Sequence, residues 1–189
     1  MRIKKFLAGM LCAALLCSLA ACGGPGSTGE TNADGEKVFH LRLAHNLAED
    51  HAVHVAMTAL AEAVKEKSNG SISIQIFPNG TLGSETDCIT IMRAGGLDMT
   101  KVSAATLGNF KNEWNALSVP YVFNDKEHYY GVMDGEVAQD MYQLTQDAGF
   151  IGLTWLDSGS RSFYTAKTAI RTPADLKGLK IRTMDSQMA

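Results

Sequence analysis

Between Val38 and Leu43 side chains alternate, with Phe39, Leu41 and Leu43 on one side and Val38, His40 and Arg42 on the other. This two-residue period predicts a strand. From about Asp50 to Lys67 the period becomes helical. Val53, Met57, Leu60, Ala61 and Val64 form one stripe, Glu62, Lys65 and Glu66 lie on the polar face, and Asn69-Gly70 supplies a stop. Alternation returns at Ile72, Ile74 and Ile76 and ends at Pro78-Asn79-Gly80, predicting a second strand over 71–77. Strand, helix, strand is the opening of a parallel α/β sheet.

The pattern then repeats. Ser84 is placed to cap a helix that runs through Ile89, Ile91 and Met92 to Gly95-Gly96, and residues 97–102 follow as a short strand. Residues 117–123 form an apolar connection carrying Pro120. From Asp125 a long helical region passes Tyr129, Val132, Val137, Met141 and Leu144 to Gly149, with Gly131 and Gly135 as weak points. Residues 150–156 and the run Leu179-Lys180-Ile181-Arg182 predict two more strands. Trp155, Phe163 and Tyr164 are candidates to pack against a ligand, although aromatics on strands more often belong to a core.

The first residues depart from this pattern. Arg2, Lys4 and Lys5 precede an apolar run from Phe6 to Ala21 that is short for a bilayer and stops at Leu19-Ala20-Ala21-Cys22. Residues 1–21 thus predict a secretion signal. The tetrapeptide resembles the bacterial lipoprotein processing site, which implies that Cys22 is lipidated and anchors the protein to the outer face of a membrane; ordinary signal cleavage nearby is the alternative. Residues 22–37 are polar and glycine-rich and predict a flexible leash. Cys12 and Cys17 leave with the signal, so Cys88 has no partner for an internal disulfide. Its neighbours Ile89, Ile91 and Met92 mark it as a core thiol.

The chain of 189 residues carries 17 basic and 20 acidic side chains. Removing Arg2, Lys4 and Lys5 leaves 14 against 20, a net charge of −6. Nucleic acid is therefore excluded as a partner, because phosphate binding needs a basic face. An anionic ligand must instead be held by a few local cations in a desolvated cleft. Arg161 and Arg182 are the candidates: a guanidinium fork grips a carboxylate through two parallel hydrogen bonds, and Arg182 closes a predicted strand.

Leu82-Gly83, Gly96-Leu97-Asp98-Met99, residues 117–123, Gly159-Ser160-Arg161 and Asp175 through Arg182 resemble, in order and spacing, the solute receptors of tripartite ATP-independent periplasmic (TRAP) transporters, the DctP family. The resemblance runs from about Val38 to the last residue. It implies an α/β fold of the two-lobed periplasmic-binding-protein type, with a first lobe over 38–157 and the start of a second over 158–189. It implies a receptor, not an enzyme, which needs no cofactor, captures a small organic acid and delivers it to a small and a large membrane subunit. By the same likeness Arg182 is the principal carboxylate ligand, Arg161 a second cation, and Asn46, Glu85 and Ser103 lie near contact loops of the first lobe. The chain departs from the family in length, since most of the second lobe is expected beyond Ala189.

Each of these residues also has a plainer reading. Arg182 could pair with Asp175 or Asp185, Arg161 could be solvated, and Asn46, Glu85 and Ser103 could be caps or turn residues. Two other functions compete. One is the receptor of an ATP-driven importer. The other is a surface metal-binding or metallohydrolase lipoprotein using His51 and His54, which lie three apart at a helix start near His45, Glu49 and Asp50. That second reading lacks a His-Glu-x-x-His motif and a third spaced ligand.

Overall fold

The computed structural model describes residues 30–31, 35–159 and 162–183. At its centre is β2 (Lys37–Ala44). β3 (Ile72–Phe77) runs parallel to it on one side, with Leu41 opposite Ile74 and Leu43 opposite Ile76. β4 (Met99–Thr100) runs parallel on the other side, Leu43 facing Met99 and Ala44 facing Thr100. A two-residue strand, β1 (Glu30–Thr31), pairs antiparallel with Val38 and Lys37. The expected leash is therefore partly ordered: Glu30 and Thr31 complete backbone bonds at the start of β2, and the Glu30 carboxylate lies 3.2 Å from the His40 ring.

Helix α1 (Ala52–Lys67) links β2 to β3, and α2 (Glu85–Arg93) links β3 to β4. They cover opposite faces of the sheet, because Leu43 packs with Val53 and Met57 of α1, whereas its neighbour Ala44 packs with Cys88 of α2 and Leu97. Successive strand residues point to opposite faces, so this pair shows that the sheet is wound on both sides. Burying each large apolar side chain of these clusters stabilises the lobe by about 1.5–3 kcal/mol. Cys88 is buried and free, in the core position read from its neighbours. Burial raises its thiol above the ordinary range.

Local chemistry sets the start of α2. The Ser84 hydroxyl accepts from the Asp87 amide, as expected of the cap, and the Asp87 carboxylate accepts from the Ser84 amide at 2.8 Å and hydroxyl at 2.7 Å, which makes the cap reciprocal. Gly83 has φ +108, and a Cβ there would lie 2.9 Å from the Asp87 side chain, so the cap depends on a glycine before it.

After β4 the chain forms the short helix α3 (Ala104–Leu107), a 3-10 segment (Asn112–Ser118), α4 (Lys126–Met133) and α5 (Glu136–Gln143). Trp114, Met133, Ala138, Met141 and Tyr142 make a separate core there. The long helical region predicted from Asp125 is thus two helices. It breaks at Gly135, where a Cβ would meet the Gly131 carbonyl oxygen at 2.7 Å.

The two later strands are corrected. Residues 150–156 and 179–182 have no regular secondary structure, and Leu153 and Phe163 are 66% and 61% exposed. Alternating sequence makes a strand only when a neighbouring strand takes its backbone groups, and neither run has such a neighbour among the described residues. The strand predicted over 97–102 shrinks to Met99–Thr100 for the same reason, since it pairs only with the end of β2.

Candidate functional site

All three parallel strands point their C-terminal ends the same way, and the loops after Ala44, Phe77 and Thr100 meet along one edge of the sheet. In open α/β sheets that edge is where ligands bind. Asn46, Glu85 and Ser103 all fall on it.

Asn46 sits at the tip of the first of these loops with its side chain exposed. Backbone bonds clasp the loop on both sides of it: the Asn79 amide donates to the Leu47 carbonyl at 2.9 Å, and the Gly80 amide to the His45 carbonyl at 3.0 Å. The next residue back, His45, is 2% exposed. Its Nδ1 accepts from the Leu47 amide at 3.1 Å, so its proton resides on Nε2 and is donated to His54 Nδ1 across 3.0 Å. Burial, reinforced by His54, Lys101 and His51, lowers the pKa of His45. A neutral ring is what both hydrogen bonds require.

Glu85 and Ser103 come together, 18 residues apart in sequence, and are turned onto each other. One Glu85 oxygen accepts from the Ser103 hydroxyl at 2.6 Å, the Ser103 amide at 2.9 Å and the Thr106 hydroxyl at 2.8 Å. The other lies 3.3 Å from the Lys101 ammonium. Both members of this ion pair are largely buried, with 12% and 14% of their side chains exposed. Burial pushes the Glu85 carboxyl up, but the Ser103 hydroxyl and amide, the Lys101 charge and the Thr106 hydroxyl outweigh it and hold the pKa below the usual value. The cluster ties the first turn of α2 to the β4–α3 loop. Sequence reading missed Lys101 and Thr106; the available signal was their position one and six residues beyond β4, flanking Ser103.

Arg182 is exposed in a segment without regular secondary structure. Asp175, a rival partner for it, instead accepts from the amides of Arg171 and Thr172 and the Thr172 hydroxyl, capping a 3-10 turn (Pro173–Leu176). Arg161, Cys22 and Asp185 lie outside the described residues. Trp155 packs on the rings of Tyr129 and Tyr130, with centroids 5.4 and 5.3 Å away, and donates to Asp134 at 2.9 Å. It serves the second core. Phe163 and Tyr164 are exposed.

The metal arrangement does not form. His51 Nδ1 accepts from the Val53 amide as the cap of α1, and His54 Nδ1 accepts from His45. Both imidazoles already use the nitrogen nearest the backbone, and among the described residues no three His, Cys, Asp or Glu side chains converge on a common point.

A parallel sheet wound on both faces, with its loops gathered at one edge, defines the first lobe of an α/β binding protein. The chain belongs to the bacterial extracellular solute-binding protein family 7, the DctP family, which matches residues 43–189. That family comprises extracytoplasmic receptors, not enzymes. The YiiZ protein of Salmonella typhimurium is 41% identical over 156 residues, which are 82% of this chain and 47% of YiiZ. A TRAP periplasmic solute-binding protein from Anaerococcus prevotii, solved with bound D-glucuronate, is 37% identical with a TM-score of 0.76, over 80% of this chain and 49% of that one. Another, from Bradyrhizobium with bound D-galacturonate, is 38% identical with a TM-score of 0.76, over 79% and 50%. The chain thus spans about half the length of the relatives it matches.

Proposed function

We propose that the complete receptor captures a small organic acid outside the cytoplasm and delivers it to the small and large membrane subunits of a TRAP-type secondary transporter. The observation that carries this reading is the likeness to the D-glucuronate-bound receptor, at a TM-score of 0.76 over 80% of the chain. Arg182 is the principal ligand of the acid's carboxylate and Arg161 a second cation beside it. Asn46 offers a polar contact from the first lobe, and Glu85 and Ser103 brace the adjoining loop. The Glu85 charge does not oppose an acid, because Lys101 neutralises it within 3.3 Å. Closure of the lobes expels water, which strengthens the arginine fork and makes binding and lobe motion one equilibrium. The similarity to receptors described as TRAP proteins favours this over an ATP-driven importer.

A thermal-shift screen of the complete receptor tests this function with hexuronates, other sugar acids, four-carbon dicarboxylates and keto acids. At a ligand concentration 100-fold above Kd the expected stabilisation is about 2.7 kcal/mol, a shift of several degrees. A receptor that responds to neutral sugars and to none of the acids would refute carboxylate capture.

The anchor is part of the same proposal. Lipid on Cys22 holds the receptor at the membrane surface, near the subunits it serves. Cys22→Ser is expected to move the protein from the membrane fraction to the soluble exported fraction. Wild-type protein already soluble, with an unmodified new N-terminus, would mean ordinary cleavage instead.

A further inference from the structure

We propose that His45, held by His54, is a proton-sensitive latch that positions the Asn46 loop, so that capture of the acid weakens as the pH falls. The idea rests on the capture reading above.

The geometry is directional. The Leu47 amide can only donate, which leaves His45 Nδ1 no role but acceptor. His45 Nε2 must then donate, which leaves His54 Nδ1 no role but acceptor. A chain of this kind has one neutral arrangement. A proton added to His45 Nδ1 sets two donors face to face and breaks the bond to Leu47. A proton added to His54 Nδ1 breaks the bond to His45. Either event reaches Asn46, which lies between His45 and Leu47 and is exposed at the ligand edge of the sheet. The loop is also clasped by backbone bonds to Phe77, Asn79 and Gly80 and by the Asn79 side chain on Glu49.

The groups facing the latch make proton uptake costly in the closed state. From α1 comes His54, from its N-cap His51, and from just after β4 Lys101, whose charge is paired with Glu85 of α2. β3 meets His45 through the Phe77 carbonyl, which accepts its amide at 3.0 Å. Glu49, on the same loop as the latch, accepts from the Asn79 side chain. Because burial, first of all, depresses the pKa of His45, the closed loop stays neutral where an exposed histidine, with its ordinary value near 6.5, already takes up a proton. Protons therefore favour the open loop, and the closed form loses ground as the pH falls below about 6.5.

The test is titration calorimetry of the complete receptor at pH 8 and pH 5.5. D-glucuronate is the probe, or whichever acid of the panel gives the larger thermal shift; the carboxylate of D-glucuronate stays ionised at both values. Wild type should lose affinity by up to about tenfold, the ceiling set by one proton's linkage over one unit below 6.5. His45→Asn keeps an acceptor for the Leu47 amide without a titrating ring, and its affinity should change less than threefold. Protection of the Leu47 amide against hydrogen exchange, corrected for intrinsic rate, should fall in wild type over the same range. Flat wild-type affinity, or an equal fall in His45→Asn, overturns the latch. If His45→Asn does not fold, the wild-type amide decides: unchanged protection overturns it, and protection lost together with affinity supports it. Failure of the capture reading looks different, since no acid would then bind even at pH 8, and the gating role falls with it.

Discussion

Arg182→Lys in the complete receptor is expected to weaken binding of a sugar acid about 10- to 100-fold while leaving stability unchanged. A guanidinium presents two parallel donors to one carboxylate, whereas an ammonium offers a point charge that cannot fill both positions. Losing one charge-assisted hydrogen bond costs about 1.5–3 kcal/mol, which corresponds to that range in Kd. Stability should not move, because Arg182 is exposed and Asp175, its rival partner, is committed to a turn. Calorimetry with D-glucuronate, together with urea unfolding, separates the two effects. Equal affinity in wild type and variant would remove Arg182 from the site.

The reverse split is expected at Glu85. Glu85→Leu leaves the Lys101 ammonium, the Ser103 amide and two hydroxyls without their shared acceptor in a mostly buried place, and should destabilise the protein by about 3 kcal/mol in urea unfolding at pH 7. The pH dependence has a definite sign. The native pKa of Glu85 is depressed, so its stabilising contribution is present above the unfolded carboxyl value near 4.3 and is lost as the pH falls through the lower native value. The stability gap between wild type and Glu85→Gln should accordingly narrow between pH 7 and pH 3.5. A constant gap would mean that the native carboxyl is not held ionised by its donors. If Glu85→Gln instead lowered affinity with stability intact, Glu85 would be a ligand contact and not a brace.

The likeness to the receptor family put Asn46, Glu85 and Ser103 near contact loops of the first lobe, and parallel topology, which brings positions that follow a strand or start a helix together, sets them on one edge. What each does there was not legible. Glu85 and Ser103 are 18 residues apart, and no periodicity tells whether two side chains on neighbouring loops face a ligand or one another. The histidines show the same limit. His51 and His54 share a helical spacing suited to a metal, yet the decisive neighbour of His54 is His45, which packing brings to it from the end of β2.

The alternation at Val38–Leu43 and Ile72–Ile76, the stripe from Val53 to Val64 and the Ser84 cap were determined by sequence, because period and capping chemistry act within a few residues of one another. Tertiary structure decided whether a run with strand character became a strand. Residues 72–77 did so beside β2, while 150–156 and 179–182 stayed irregular without a neighbour among the described residues. It also decided which faces α1 and α2 cover and which donors reach Glu85 and His45. Those outcomes depend on contacts between distant segments, whose geometry no local pattern of side chains carries.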